Sequence, residues 1–407
     1  MESPEMTTGI VNGKEKPTVL TDSTNSLHSD GTLVFQGEIQ SPGKSDITET
    51  GFYWSSASND PNTKDNTVII SVADVFNYEL QDVSGEKTFY WRAYAKNSYG
   101  YDYGKVQSFK TPAIWERKDS LTAYNRGKGV VFSVNDKIYI TCGELEWGHI
   151  PANNTWEYNI TENNWKEVLP FPSDGRINPV YFTIGNTAFI GTGLTPQLVA
   201  RKDFYLFNPA IASKVWTEIT TPDNFDARYE AIAFSLNGKG YVIGGLSTDR
   251  KALSDVWQYD PENNLWKKIN NFPVNFYGGI SISGNNRVFA GFGETEESQK
   301  TLWEYNEEAD HWTEFAFLPK EINTKIYSGV IVKKTIYIVD EKNTIWTLNT
   351  EDDTKTWNKK TTLPSIFFNE NGEGGFQSLL TKNKSNSIFV GLGFSNQLYE
   401  YRPLWDN

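Results

Sequence analysis

Three arginines are the residues of this chain whose type and spacing invite chemistry. Arg126, Arg176 and Arg228 each stand thirteen residues before an aromatic, namely Tyr139, Phe189 and Tyr241. Such regularity places them at equivalent positions in three successive units of one architecture. A ring of guanidinium groups suits a carboxylate or sulfate, which it grips through paired, charge-assisted hydrogen bonds. The alternative is that each arginine binds carbonyl groups of its own loops. Phe276 takes the equivalent place in the next unit, and Lys325 lies close to it in the one after, so the set is not uniform. Glu230 lies two positions beyond Arg228. Residues two apart on a strand share a face, so this pair is expected to converge. A carboxylate beside a cation is the minimum for acid–base work without a metal. Nearby stand Asn178, Tyr229, Tyr277, Tyr327, Phe367, Phe368 and Glu373, and Trp147 sits with Glu144, Glu146 and His149 in GELEWGHIPANN from Gly143. Aromatic rings beside carboxylates suit sugars, because rings stack on the pyranose face while acids accept hydroxyl protons. The candidate ligand-binding set is therefore Arg126, Arg176, Arg228, Glu230, Trp147, Tyr229, Tyr277 and Tyr327. Arg228 and Glu230 are the catalytic pair to test if a reaction occurs.

The elements that must position these groups are marked by tryptophan. Trp115, Trp165, Trp216, Trp266, Trp312 and Trp357 fall 50, 51, 50, 46 and 45 residues apart. A fixed period of this size means a repeat architecture. The clearest unit reads NGKGYVIGG from Asn237, then a polar stretch, then DVWQYDPENNLW ending at Trp266. A doublet ending in glycine recurs at Cys142-Gly143, Thr192-Gly193, Gly244-Gly245, Phe292-Gly293 and Leu392-Gly393, with Val339-Asp340 in its place in the fifth copy. Aromatic or apolar strands follow: TWEYN, FYLFN, VWQYD, LWEYN, IWTLN and LYEYR. These residues resemble the kelch repeat of the galactose oxidase/kelch-like superfamily, from about Ile114 to the C-terminus. The resemblance implies a β-propeller of four-stranded blades, with the three arginines opening innermost strands at the mouth of a central channel. Six units need six outer strands, yet Trp405 follows Tyr401 by only four residues. Residues Ile114 to Lys118 are expected to complete the last blade, leaving no open sheet edge. The expectation is a six-bladed propeller over residues 112–407, closed by its N-terminal strand. The connections after the doublets vary most, as in LTPQLVARK from Leu194, STDRK from Ser247 and ETEESQK from Glu294. Loops on a rigid scaffold are where binding residues concentrate.

Residues 17–111 have another texture. TLVFQGEIQ, GFYWSS, TVIISV, FNYEL, FYWRAYAKN and VQSFKT are short runs bounded by turn-forming residues, a pattern of a β-sandwich. From Phe89, alternation puts Phe89, Trp91, Ala93 and Ala95 on one face and Tyr90, Arg92 and Tyr94 on the other. Gly51-Phe52-Tyr53-Trp54, FYWRAYAKNSYGYDYG and the closing SFKTP resemble the fibronectin type III-like domains of Bacteroidetes surface lipoproteins. The resemblance implies a spacer or docking module ahead of the propeller. Residues 1–16 read as a polar, disordered spacer, or as the stretch that follows a removed export signal.

Composition narrows the function classes. The 407 residues carry a formal net charge of −13, which argues against nucleic acid and anionic membrane surfaces as partners. No apolar run approaches the ~20 residues of a transmembrane helix. Cys142 is the single cysteine, so no intrachain disulfide forms. It reads as a small buried hydrophobe, the competing reading being a thiolate served by His149. The family's best-known enzyme, galactose oxidase, needs two His, two Tyr and a Cys joined to one Tyr. His28, His149 and His311 are the chain's only histidines and do not fall on one face, so copper chemistry is rejected, and a zinc site with it. No phosphate-binding glycine loop and no G-x-S-x-G elbow is present. No cofactor is expected. The leading reading is an exported, non-catalytic binding protein, periplasmic or a cell-surface lipoprotein, whose propeller face holds a glycan or a cell-envelope protein. The alternative is a metal-independent mutarotase or epimerase acting on an acidic sugar, as six-bladed kelch proteins acting on sialic acid would imply. A third is a scaffold for a protein partner.

Overall fold

Short runs of β-branched and aromatic residues, cut by Asn-Gly, Asn-Asp and Asp-Pro turns, favour many short antiparallel strands over helices. The computed structural model describes residues 15–22, 32–81, 83, 85–123, 125–145, 150–294, 300–322, 325–362, 379–393 and 395–406. It divides into two units, Met1–Trp115 with Arg402–Asn407, and Glu116–Tyr401. Both are built from strands, and none of the described helices is long and apolar enough to cross a membrane.

In the first unit Thr18–Asp22, Leu33–Ser41 and Val75–Leu80 form a three-stranded sheet. Asn66–Ile70, Glu49–Ser55, Thr88–Asn97, Gly100–Tyr103 and Gln107–Lys110 form a five-stranded one. Leu33 and Phe35 of one sheet and Phe52, Phe89, Trp91, Ala93 and Ala95 of the other belong to a single core cluster. The regular alternation of Phe89 to Ala95 is the reason: every second side chain is driven from water. Tyr94, on the opposite face, is also buried, stacked on Tyr53 at 4.6 Å between centroids and donating to Glu49 Oε1 at 2.9 Å.

The second unit repeats one motif. Four-stranded antiparallel sheets begin at Val130–Val134, Val180–Ile184, Ile232–Leu236, Ile280–Gly284, Ile326–Val332 and Leu379–Lys382. In the last sheet the fourth strand is Trp115–Arg117, beside Leu398–Tyr401. The inner strands are neighbours in chain order, and the sixth is again a neighbour of the first. The apolar core lies between successive sheets. One cluster joins Phe182 and Phe204 of the second to Val242 and Trp257 of the third, and another joins Ile138 and Tyr158 of the first to Phe389 and Leu398 of the sixth. The tryptophan ladder is explained by strand register. Tyr158 faces Trp165, Phe207 faces Trp216, Tyr259 faces Trp266 and Tyr305 faces Trp312 directly across neighbouring strands. Their ring centroids are 4.7 to 5.1 Å apart, the range in which cross-strand aromatic pairs stabilise a sheet.

Glycine is required at the second place of the first three doublets. Gly143, Gly193 and Gly245 have φ of +92°, +95° and +93°. A Cβ there would lie 2.6 to 2.9 Å from the carbonyl oxygens of Gly127, Ile177 and Tyr229. The first place is also left-handed, yet it carries Cys142, Thr192, Phe292 and Leu392 as well as Gly244. In these three repeats the close approach of the segment entering the inner strand is therefore what demands glycine.

Candidate functional site

Each entering segment is held by the residues just after the doublet of the same repeat. Arg126–Gly127 pairs with Glu144–Leu145, Arg228–Tyr229 with Leu246–Ser247, Ile177 with Leu194 and Tyr277 with Glu294. The chain then turns through a left-handed residue before the inner strand begins: Lys128, Asn178, Glu230 and Gly278, with φ of +54°, +49°, +53° and +65°. These corners are chained by backbone hydrogen bonds from one repeat to the next. Asn178 N donates to Lys128 O at 2.8 Å, Glu230 N to Asn178 O at 3.3 Å and Gly278 N to Glu230 O at 2.8 Å.

The left-handed corner decides where the charged groups go. Strand alternation would place Arg228 and Glu230 on one face, but the positive φ of Glu230 breaks the alternation, and the two do not converge. Arg228 is fully buried. Its guanidinium donates to Asp255 Oδ1 and Oδ2 at 2.7 and 2.8 Å and to Gly244 O at 3.0 Å, and it lies over the Phe225 ring at 4.6 Å. Arg176, equally buried, repeats the design with Asp203 at 2.8 and 3.0 Å, Thr192 O at 2.9 Å and the Phe171 ring at 4.5 Å. Burial alone would push both aspartic acids up, but the arginine hydrogen bonds and charges outweigh it and hold them below the usual carboxylate range. Arg126 is buried too, but among the described residues its guanidinium meets only carbonyls, Cys142 O at 3.3 Å and Asn154 O at 3.2 Å, and burial pushes it down to about 10. In the fourth repeat Phe276 stacks on Phe272 at 4.5 Å instead. Each arginine thus meets a loop carbonyl, as the alternative reading has it, but Arg176 and Arg228 are held by an aspartate as well. The carboxylate partners were legible as a spacing: Asp203 and Asp255 each follow their arginine by 27 residues, whereas Asn153 stands 27 after Arg126.

What remains at the mouth is a different set. Glu230 Oε1 accepts from Asn178 Nδ2 at 2.9 Å. Its Oε2 and Lys325 Nζ lie 3.5 and 3.4 Å from the position a Cβ would take on Gly278, so the absent side chain leaves a niche with a carboxylate and an ammonium at its edges. Burial raises the Glu230 pKa, Glu294 adds to this, and Lys325 and Lys128 oppose it. Lys325 pairs with Glu294 at 3.1 Å and Lys128 with Glu144 at 2.6 Å. Glu294, which opens the variable connection ETEESQK, therefore belongs to the mouth. Tyr229 and Tyr277 are half-buried beside these groups, and Tyr277 is raised by burial and by Glu294. Tyr327 lines the channel and is pushed up to about 12 by burial and Glu341. The channel cavity is about 360 Å³. Trp147, Glu146, His149, Phe367, Phe368 and Glu373 lie outside the described residues.

Cys142 is fully buried and burial pushes its thiol up to about 11, so it is no thiolate at neutral pH. Among the described residues no three His, Cys, Asp or Glu side chains gather to hold a metal ion.

Comparison with known proteins bears on this geometry. The chain is 34% identical over 110 residues to an N-acetylneuraminate epimerase of Yersinia enterocolitica, covering 25% of this chain and 28% of that protein. It is 23% identical over 188 residues to the N-acetylneuraminate epimerase of Pasteurella multocida, covering 37% and 48%. An F-box/kelch-repeat protein of Arabidopsis thaliana, At1g67480, is 26% identical over 155 residues, covering 34% and 40%. The chain thus spans less than half the length of each of these relatives. The solved structure of YjhT superposes with a TM-score of 0.53 at 13% identity, covering 67% of this chain and 92% of that one, which shows a shared kelch-type propeller fold. The family model described as the KLHDC2/KLHL20/DRC7 Kelch-repeats domain matches residues 129–340, more than half the sequence, and the chain belongs to the kelch-repeat family.

Proposed function

We propose that the channel mouth binds an acidic sugar and exchanges its anomeric form by metal-free acid–base catalysis. The observation that carries this reading is the Glu230 carboxylate, raised by burial, facing Lys325 across the niche over Gly278. A raised carboxylate is a stronger base when ionised. Glu230 takes the proton of the anomeric hydroxyl while the Lys325 ammonium gives one to the ring oxygen, and the ring C–O bond breaks. The open-chain carbonyl rotates, and the reverse transfers close the ring on the other face. Tyr229 and Tyr277 supply stacking surfaces beside the niche. The names of the epimerase relatives support an N-acetylated sugar acid as substrate class.

A second reading, a binding protein without turnover, draws on the pairing already present: Lys325 is held by Glu294 and Glu230 by Asn178. Anomer exchange of N-acetylneuraminate or a uronic acid, followed by NMR, separates the two. Under the enzymatic reading the wild type accelerates exchange, and Glu230→Gln and Lys325→Met each lower the rate by about 10²-fold or more, the usual worth of a positioned acid or base. Binding without acceleration establishes the second reading, and absence of both removes the sugar proposal.

The finer architecture belongs to the same proposal. The six sheets, with neighbouring inner strands closing on themselves, are taken as six blades sealed by the strand at Trp115. The two sheets that share one core are taken as a fibronectin type III-like sandwich over 17–111, the propeller occupying 112–407. Export to the periplasm or cell surface is proposed with them, and fractionation of the native cell tests it.

A further inference from the structure

We infer that the end of the channel away from the mouth is a binding site for a small oxyanion, built from one lysine and a ring of hydroxyls. The inner strands begin at the mouth and run along the channel, so residues near their far ends, the fourth in five of the six strands, lie about 10 Å further along, at ~3.3 Å per residue. Strand register puts six side chains at this level. Ser133 faces Ile138, Thr183 faces Ala188, Ser235 faces Gly240 and Ser283 faces Val288. Ile331 faces Ile336 and Lys382 faces Ile388 in the same way. All six line the one cavity. Four successive repeats therefore present a hydroxyl, the fifth a hydrocarbon and the sixth an ammonium.

Neither the four hydroxyls nor Lys382 has a hydrogen-bond or ion-pair partner among the described residues. All five are half-buried. Burial lowers the Lys382 pKa, and among the described residues no carboxylate acts against it. Lys382 Nζ lies 3.8 Å from the position a Cβ would take on Gly284, and Ile331 Cγ2 lies 2.5 Å from it, so the ammonium sits beside the hydrocarbon of the fifth repeat at this level. In a protein of net charge −13, a partly desolvated cation with no acid beside it among the described residues is costly and is stabilised by an anion. Hydroxyl donors and one ammonium match phosphate, sulfate or a carboxylate, whose oxygens accept several hydrogen bonds at once. The site is separate from the mouth and does not depend on the reaction proposed there.

The test uses the full chain with its lysines reductively ¹³C-methylated, titrated by NMR with inorganic phosphate, sulfate and acetate, and separately with glucose 6-phosphate. The expected result is a saturable shift of the Lys382 resonance, lost in Lys382→Met and weakened about tenfold by Ser235→Ala with Ser283→Ala, since a hydrogen bond to a charged group is worth about a tenfold change in affinity. If Lys382→Met fails to fold, the serine double variant carries the test, its fold checked by circular dichroism. Tighter binding of glucose 6-phosphate than of phosphate assigns the anion to a larger molecule, and equal binding assigns it to the free ion. The inference is overturned if no anion gives a saturable shift up to about 0.15 M, the physiological ionic strength, or if the serine variants bind as the wild type does.

Discussion

At the scale of single residues, the three equivalent arginines have unequal energetics. Arg176 and Arg228 are each clamped to an aspartate, and removing one partner of such a buried pair leaves an uncompensated charge. Asp255→Ala is expected to cost about 3–5 kcal/mol in urea denaturation. Arg126→Met is expected to be neutral or stabilising, because Arg126 Nε and Nη2 have no partner among the described residues. Equal losses at both sites would contradict the contrast. The pH dependence has two arms of known sign. Asp203 and Asp255 are depressed in the fold, so their stabilisation is present above the unfolded value of about 3.9 and is lost as pH falls through the lower folded values. Glu230 is raised, so between about 4.3 and its folded value the native state binds more protons than the unfolded one, and stability falls as pH rises. Glu230→Gln is expected to erase that second arm and leave the first, as read from denaturation midpoints across pH.

At the scale of elements, the mouth depends on how closely each entering segment approaches its doublet. A Cβ on Gly245 would lie 2.8 Å from Tyr229 O and 2.9 Å from Ala231 N, in the residues that flank Glu230. Gly245→Ala combines left-handed strain with a clash, each worth roughly 1–3 kcal/mol. It is expected both to destabilise the fold and to displace Glu230, lowering sugar affinity or turnover. Gly238, in the adjacent hairpin, has φ of +76° with nothing within 4 Å of its Cβ position. Gly238→Asn is expected to change stability by less than about 1 kcal/mol, since Asn tolerates this conformation. Comparable thermal melts for the two variants would show that the close approach is not what holds the mouth.

At the scale of the whole second unit, residues near its two ends meet in one sheet. Lys118 N donates to Leu398 O at 2.9 Å, and its buried ammonium lies 2.8 Å from both Glu400 and Glu116. Lys118→Glu is expected to cost about 3–5 kcal/mol and to expose a sheet edge that promotes association. Lys334→Glu, in an exposed pair with Glu351 at 2.6 Å, is expected to cost no more than about 1 kcal/mol. Denaturation with size-exclusion chromatography distinguishes the two, and a monodisperse, fully stable Lys118→Glu protein would remove this contact from the closure.

By itself the sequence determined the repeat, the strands and the aromatic pairs. These follow from patterns a few residues long: period-two alternation, turn residues at fixed places, and a Tyr or Phe seven to nine residues before Trp that register brings face to face. It also gave the expectation that Glu230, Tyr229, Tyr277 and Tyr327 gather near the channel entrance, because equivalent positions in a repeat share an environment. The direction of each charged side chain was decided only in three dimensions. Arg228 turns to an aspartate 27 residues further on, and Glu230 turns the other way because its backbone is left-handed. The niche over Gly278 and the level shared by Lys382 and four hydroxyls join residues of different repeats. Such placements depend on desolvation and on contacts between segments about 50 residues apart, which no local pattern encodes.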